Sequence, residues 1–173
     1  MLLSHHYFLS LHKEKEKEMS HTVYLALGSN LGDRGANLVA AIAEIEKKIG
    51  NVCSQSDVIA TEPEGFESCN KFLNMAVCVE TELDAPALLD ATQHIERQLG
   101  RLQKSVDGIY HDRTIDIDIL LYDSETMHTR RLTIPHPRMT SRRFVLQPLA
   151  QIAPALVIPG EKLTIAELLA RIS

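Results

Sequence analysis

Apolar and polar residues alternate in four segments of the chain. A period of two is typical of a β-strand that buries one face. The predicted strands cover residues 22–28, 52–61, 72–81 and 114–122. The last segment is the most regular, because Ile115, Ile117, Ile119 and Leu121 all fall on one face. Its other face carries Asp116 and Asp118, whose side chains point the same way and lie about 6–7 Å apart.

Between these strands, apolar residues recur every three or four positions, which predicts two amphipathic helices. The first ends at Gly50, and the second begins after Asp84 and ends before Gly100. The order βαββαβ indicates an α+β, ferredoxin-like fold with an antiparallel sheet and both helices on one face. We expect the opposite face to be left for loops and ligand. A C-terminal extension rich in proline follows, with a short helix around residues 164–172.

The N-terminal residues, which precede this pattern, help to predict the domain organisation. Residues 1–18 end in a strict Lys/Glu alternation and have no net charge, which is typical of a tail or a short solvated helix. They lack the apolar core of a signal peptide. We therefore predict a dispensable extension over 1–18, a natural start at Met19, and a single domain over 19–173.

Composition narrows the class of protein. The chain has 173 residues and a formal net charge of −5, which argues against a protein that coats nucleic acid or an anionic membrane. No apolar run approaches the roughly 20 residues of a membrane span. Three cysteines make a poor disulfide framework and favour a reducing compartment. The prediction is a cytoplasmic domain that binds small molecules.

The acidic pair is the strongest chemical signal. Two carboxylates side by side repel each other unless a cation joins them, and Mg²⁺ with substrate phosphates suits such a pair. The alternative is that both aspartates simply face water. Basic side chains are concentrated around the pair, which favours a polyphosphate ligand. They are Arg97, Arg101, Lys104, Arg113, Arg130, Arg131, His136, Arg138, Arg142 and Arg143.

Several motifs, taken in order, resemble the 6-hydroxymethyl-7,8-dihydropterin pyrophosphokinase family of folate biosynthesis. The resemblance covers essentially all of residues 22–172, and this chain has His111 and Asp112 where many members have Gly-Pro. The matching stretches are 27–32 (LGSNLG), 72–74 (FLN), Gln93 with Glu96, 113–118 (RTIDID), 132–137 (LTIPHP) and 142–146 (RRFVL).

The resemblance implies a ferredoxin-like enzyme that transfers pyrophosphate from ATP to the pterin hydroxymethyl group and releases AMP. It implies two Mg²⁺ ions on Asp116 and Asp118, and catalytic roles for these residues with Arg101 and Arg113. We expect a monomer whose partners are ATP and the pterin. The implied ATP contacts are Gln93, Glu96, Arg101, Arg113, Ile119, Arg131, Thr133, His136 and Arg142. The implied pterin contacts are Thr61, Glu62, Phe72, Asn74, Asp116 and Phe144.

Two other functions fit parts of the pattern. A sugar-nucleotide transferase would also use an Asp-x-Asp pair, but it leaves the aromatic and amide positions unexplained. The other is a non-catalytic ferredoxin-like module that binds RNA or a regulatory ligand. RNA binding would need more basic and aromatic surface than this acidic chain offers, and the paired aspartates would repel phosphate without a metal. The formation of AMP distinguishes the pyrophosphokinase from both.

Overall fold

A computed structural model describes residues 19–100 and 111–172 of the protein. The predictions for residues 1–18, for Arg101 and for most of the loop that follows it lie outside the described residues. None of the described helices is long and apolar enough to cross a membrane.

The sheet is antiparallel throughout and has the strand order β2-β4-β1-β5, with the short β3 also paired to β4. This order, with the last strand beside the first, is that of the predicted ferredoxin-like α+β fold. The predicted strand over 52–61 is divided in two, because Ser56 leaves the strand and its hydroxyl accepts from the Ala76 N–H at 2.9 Å. The strands are β1 His21–Ser29, β2 Gly50–Gln55, β3 Ile59–Thr61, β4 Phe72–Thr81 and β5 Asp116–Tyr122.

The two predicted helices, α1 Arg34–Lys48 and α2 Ala85–Gln98, pack on one face of the sheet. Each begins at an aspartate that caps the free N–H groups of its first turn. Asp33 accepts from Ala36 at 3.0 Å, and Asp84 accepts from Ala87 at 2.8 Å. The apolar faces of both helices join the inward residues of β1, β4 and β5 in one core.

The expectation that the opposite face of the sheet is left for loops and ligand holds only in part, because Asp116 and Asp118 line a cavity there and helices cover the rest. Two more helices, α3 Arg143–Ile152 and α4 Ile165–Arg171, pack there in a second apolar cluster. The α3 helix runs through Pro148 although proline costs a helix interior about 3 kcal/mol. Burial of Leu146 and Leu149 offsets that cost, since both are fully buried. The predicted C-terminal helix is α4.

The pairing of β1 with β5 shifts register after Ile119, so that Leu120 is the extra residue of a β-bulge. The prediction that Leu121 shares a face with Ile119 is therefore wrong. Leu121 is buried in the second cluster, and Tyr122 takes the helix-side position instead. The bulged Leu120 carbonyl accepts from the His136 N–H at 2.9 Å.

The segment after β5 forms a small hairpin before it reaches α3. Strands β6 Met127–His128 and β7 Thr133–Ile134 pair with each other, and a 3₁₀ turn follows at Met139–Ser141. The hydrogen bond from His136 to the bulge lies between these two elements. It holds the intervening segment beside the sheet, where it forms part of the cavity wall described next.

Candidate active site

A cavity of about 370 Å³ lies on the sheet between the start of β5, the loop after β3 and the start of α3. Volumes in this range suit a small-molecule ligand. Most of the residues predicted for the site line it: Thr61, Glu62, Phe72, Asn74, Gln93, Glu96, Arg113, Asp116, Asp118, His136, Arg142 and Phe144. The fold therefore brings together residues from six separate parts of the chain.

The acidic side of the cavity is built on β5 and α2. Asp116 and Asp118 both line it, as their positions two apart on one strand predict. Burial raises the pKa of Asp118 to about 7, and the negative charges of Asp116 and Glu96 act in the same direction. Glu96 is itself buried and accepts from the Ile117 N–H at 2.8 Å, which holds α2 against β5.

This acidic side matches the donor chemistry of a magnesium site. The raised pKa of Asp118 indicates that its negative charge is repelled by neighbouring carboxylates. A divalent cation between such carboxylates stabilises them. Within residues 19–100 and 111–172, no group of three or more His, Cys, Asp or Glu side chains could hold a metal ion by itself. Two carboxylates fit Mg²⁺, which takes its other ligands from water and substrate phosphates.

The cationic side of the cavity faces the carboxylates. An Arg113 nitrogen lies 3.4 Å from an Asp116 oxygen, and its guanidinium carbon lies 5.3 Å from the centre of the Phe72 ring. The Arg142 guanidinium carbon lies 5.4 Å from the centre of the Phe144 ring. Both distances are within the range of cation–π interactions, which hold flexible arginines in place.

The His136 imidazole lies near Arg142 and favours its uncharged form. Burial lowers the pKa of His136, and the positive charge of Arg142 lowers it further. Its Nδ1 accepts from the Arg138 N–H at 3.2 Å, which leaves Nε2 as the protonated nitrogen. The imidazole can therefore donate a hydrogen bond from Nε2 without carrying a positive charge.

The third side of the cavity is aromatic and amide in character. The Asn74 Nδ2 donates to the Thr61 Oγ1 at 2.7 Å, which fixes the plane of the carboxamide and leaves its oxygen available as an acceptor. Phe66 meets the ring of Phe72 edge to face, with centroids 6.2 Å apart. Aromatic rings beside an oriented amide suit a flat heterocycle with polar edges.

Three of the predicted residues within the described part of the chain do not line the cavity. Arg131 forms an exposed ion pair with Asp90 on α2. Thr133 lies in β7, and the Ile119 side chain is buried in the helix-side core. Arg101 lies outside the described residues. Glu62 does line the cavity, although its carboxylate is largely exposed and pairs with Lys71 at 2.6 Å.

The cavity also contains residues that the sequence did not assign to the site. Glu64 and Phe66 reach it from the loop after β3, where no periodic pattern indicates which way a side chain points. Thr92 reaches it from the inner face of α2, and Arg138 from the segment after β7. Arg138 belonged to the predicted basic group, so its charge was a signal, whereas Phe66 had none.

The fold and the cavity together define a ferredoxin-like domain whose cavity is lined by carboxylates, guanidinium groups and aromatic rings. A family model for 7,8-dihydro-6-hydroxymethylpterin-pyrophosphokinase (HPPK) matches residues 24–154. The chain is 49% identical over 135 residues to the 2-amino-4-hydroxy-6-hydroxymethyldihydropteridine pyrophosphokinase of Porphyromonas gingivalis, covering 78% of this chain and 92% of that protein. It is 44% identical over 135 residues to the Bacillus subtilis enzyme of the same name, covering 78% of this chain and 79% of that protein.

A solved structure supports the same fold. The wild-type HPPK-DHPS of Plasmodium falciparum superposes with a TM-score of 0.73 at 17% sequence identity, over 90% of this chain and 44% of that chain. The present protein thus spans less than half the length of that larger chain. It belongs to the 7,8-dihydro-6-hydroxymethylpterin-pyrophosphokinase family and is a pyrophosphokinase of folate biosynthesis.

Proposed function

We propose that the cavity binds MgATP and 6-hydroxymethyl-7,8-dihydropterin together and that Asp116 and Asp118 lie where the two substrates meet. The observation that carries this proposal is the acidic pair, which lies on one strand face of a cavity that guanidinium groups, aromatic rings and an amide also line. The pterin hydroxymethyl oxygen forms a bond to the β-phosphorus and loses its proton. The bond from that phosphorus to the oxygen of the α-phosphate breaks, and AMP leaves.

Asp116 and Asp118 would hold two Mg²⁺ ions in this scheme. When bound, Mg²⁺ neutralises phosphate charge and makes the pterin hydroxyl more acidic. The raised pKa of Asp118 supports this assignment, because burial and two neighbouring carboxylates leave its charged form in need of a cation. Phosphoryl transfer needs little covalent work from protein groups, so positioning and charge are what the chain must supply.

Arg113, Arg142 and His136 would bind the phosphate chain, with Arg101 proposed to join them. Arg113 is well placed for this role because Asp116 and the Phe72 ring already restrict its side chain. A planar guanidinium donates two parallel hydrogen bonds to a phosphate, which a lysine cannot do. Gln93 and Glu96, on the inner side of α2, would lie beside the nucleotide and the metal.

Phe72, Phe144 and Asn74 would bind the pterin, with Thr61 acting through Asn74. Because the Asn74 amide nitrogen is engaged by Thr61, its oxygen is oriented to accept from a ligand N–H. Pterins carry an exocyclic amino group and ring N–H groups that can supply this donor. Glu62 would contribute at the mouth of the cavity, where it pairs with Lys71.

We also propose that the enzyme acts as a cytoplasmic monomer and binds neither nucleic acid nor membrane. All three cysteines are free thiols, and two of them, Cys53 and Cys69, are exposed, which favours a reducing compartment. The contact of Arg131 with the nucleotide phosphates, and those of Thr133 and the backbone near Ile119 with adenosine, remain predictions, since none of these residues lines the cavity.

A direct assay of product formation tests the proposed function. Protein, MgATP and 6-hydroxymethyl-7,8-dihydropterin are mixed, and the nucleotides are separated by chromatography. We expect AMP and the pterin diphosphate in equal amounts, and no product when EDTA removes the metal. Release of ADP instead of AMP, or no turnover by well-folded protein, contradicts the proposal. For variants of Asp116 and Asp118, Asp57→Asn is a matched control, because Asp57 is an exposed aspartate that does not line the cavity.

A further inference from the structure

Asp112 joins two loops and directly precedes Arg113, which lines the cavity. Its Oδ1 accepts from Asn30 Nδ2 at 2.7 Å, and its Oδ2 accepts from Asn70 Nδ2 at 2.8 Å. The Ser68 hydroxyl contributes a third hydrogen bond. That bond is the main reason why the pKa of Asp112 lies below its ordinary value, and the two asparagines add to the effect. The carboxylate is therefore ionised at neutral pH and accepts from three donors.

Asn30 extends this connection to the backbone of Arg113. The Asn30 Oδ1 accepts from the Arg113 N–H at 2.8 Å, and the Asn30 N–H donates to the Arg113 carbonyl at 3.1 Å. Asn30 is only 2% exposed, so these hydrogen bonds are protected from water. The turn after β1 thus holds both the side chain of Asp112 and the main chain of the next residue.

The other donors of Asp112 belong to the loop over residues 62–71, which joins β3 to β4. This loop brings Glu64 and Phe66 to the cavity. It has a second attachment at its end, where Arg34 donates to the Lys71 carbonyl at 2.8 Å. Asp112 therefore connects a loop on the aromatic side of the cavity with the chain segment that carries Arg113.

We propose that Asp112 is a positioning residue that holds the loop over 62–71 in place, so that Phe66 and Glu64 border the cavity before the pterin binds. The inference rests on the proposed function. A carboxylate suits this task because its two oxygens both accept. An asparagine at the same position would have one acceptor oxygen, and its NH₂ group would face another donor. If the loop were released, pterin binding would have to order it, and the affinity would fall.

The position of Arg113 depends less on Asp112 than the position of the loop over 62–71 does. Its backbone stays bound to Asn30, and its side chain stays near Asp116 and Phe72. The inference therefore predicts a selective effect. Loss of the Asp112 carboxylate should weaken pterin binding and leave ATP binding and the chemical step nearly unchanged.

The test compares Asp112→Asn, Asn70→Ala and the control Asp57→Asn with the unaltered enzyme. The pterin Kd is measured by fluorescence titration, and KM for each substrate and kcat are measured by AMP formation. We expect the pterin Kd and KM to rise about tenfold in both Asp112→Asn and Asn70→Ala, as loss of a charged hydrogen bond implies. We expect the ATP KM and kcat to change less than about threefold. Because both residues act through one network, the double variant should lose about as much as each single variant.

Two results would overturn the inference. One is an unchanged pterin Kd in Asp112→Asn. The other is a parallel loss of pterin affinity, ATP affinity and thermal stability, which indicates general destabilisation. If Asp112→Asn folds poorly, Asn70→Ala provides the same test from the loop side. Absence of AMP with the unaltered enzyme would refute the proposed function, whereas a normal pterin Kd in both variants would refute this inference alone.

Discussion

Gly28→Ala is a small change that is expected to reach the pterin side of the cavity directly. Gly28 lies opposite Asn74 in the pairing of β1 with β4. A Cβ at Gly28 would lie 2.8 Å from the Asn74 Oδ1. Because carbon and oxygen in contact need more than 3 Å, the carboxamide must move. The same carboxamide donates to Thr61 at 2.7 Å, so a shift of about half an ångström strains or breaks that hydrogen bond.

The expected size of the effect follows from two hydrogen bonds. Loss of the bond between Asn74 and Thr61 corresponds to about 1 kcal/mol, and loss of the bond that the amide would make to the pterin corresponds to about another 1 kcal/mol. The first loss destabilises the free and the bound protein alike, so only the second enters the binding free energy, and it predicts a pterin affinity about fivefold lower. Gly28 lies within β1 and faces the cavity, so the fold should persist.

Fluorescence titration of the pterin gives the affinity, and thermal unfolding reports the stability. Gly35→Ala is the matched control: a Cβ there would have Asp33 Oδ1 as its nearest neighbour at 3.7 Å, an ordinary contact. Gly35 is in α1 and does not line the cavity, so the control should bind pterin normally and gain up to about 1 kcal/mol of stability. If Gly28→Ala binds pterin as tightly as the control does, the reasoning is refuted.

Three further predictions address the metal pair, pH and the N-terminal extension. Asp116→Asn and Asp118→Asn should each abolish AMP formation while the pterin Kd changes only severalfold, and near-normal turnover of either variant would remove the proposed metal role. Burial and Arg142 lower the pKa of His136, so below about pH 6.5 the folded state binds fewer protons than the unfolded state. The free energy of unfolding should therefore fall as the pH drops from there toward the pKa of the folded state. His136→Asn should flatten this part of the curve of melting temperature against pH, and parallel curves for the two proteins would contradict the prediction. A chain that begins at Met19 should keep its activity and melting temperature, and a clear loss of either would show that residues 1–18 contribute.

The strands and helices of the ferredoxin-like core were predictable because each buries one face. Alternation in β1, β4 and β5 and the spacing of apolar residues in α1 and α2 follow from packing into a common core. The helix α3 was missed because Pro148 usually marks the end of a helix. Its neighbours Leu146 and Leu149 are buried by a surface that local sequence does not reveal.

Parts of the site were predictable for a related reason. Asp116 and Asp118 are two apart on a strand, so their common face follows from the strand period alone. The role of Asp112 could not be predicted in this way, because its partners Asn30 and Asn70 lie 82 and 42 residues away along the chain. Nor does charge alone place a residue in the cavity, since Arg131 instead pairs with Asp90 on the surface.

The sequence by itself determined the βαββαβ order of the core, the acidic pair and the family of the enzyme, since all three depend on residue type and short-range spacing. Only the tertiary structure decided the rest. It placed α3 and α4 over the second face of the sheet, moved Leu121 to that face through a bulge, and joined the loop over 62–71 to Asp112. These features depend on which distant surfaces meet, and close packing of such surfaces is a property of the whole chain.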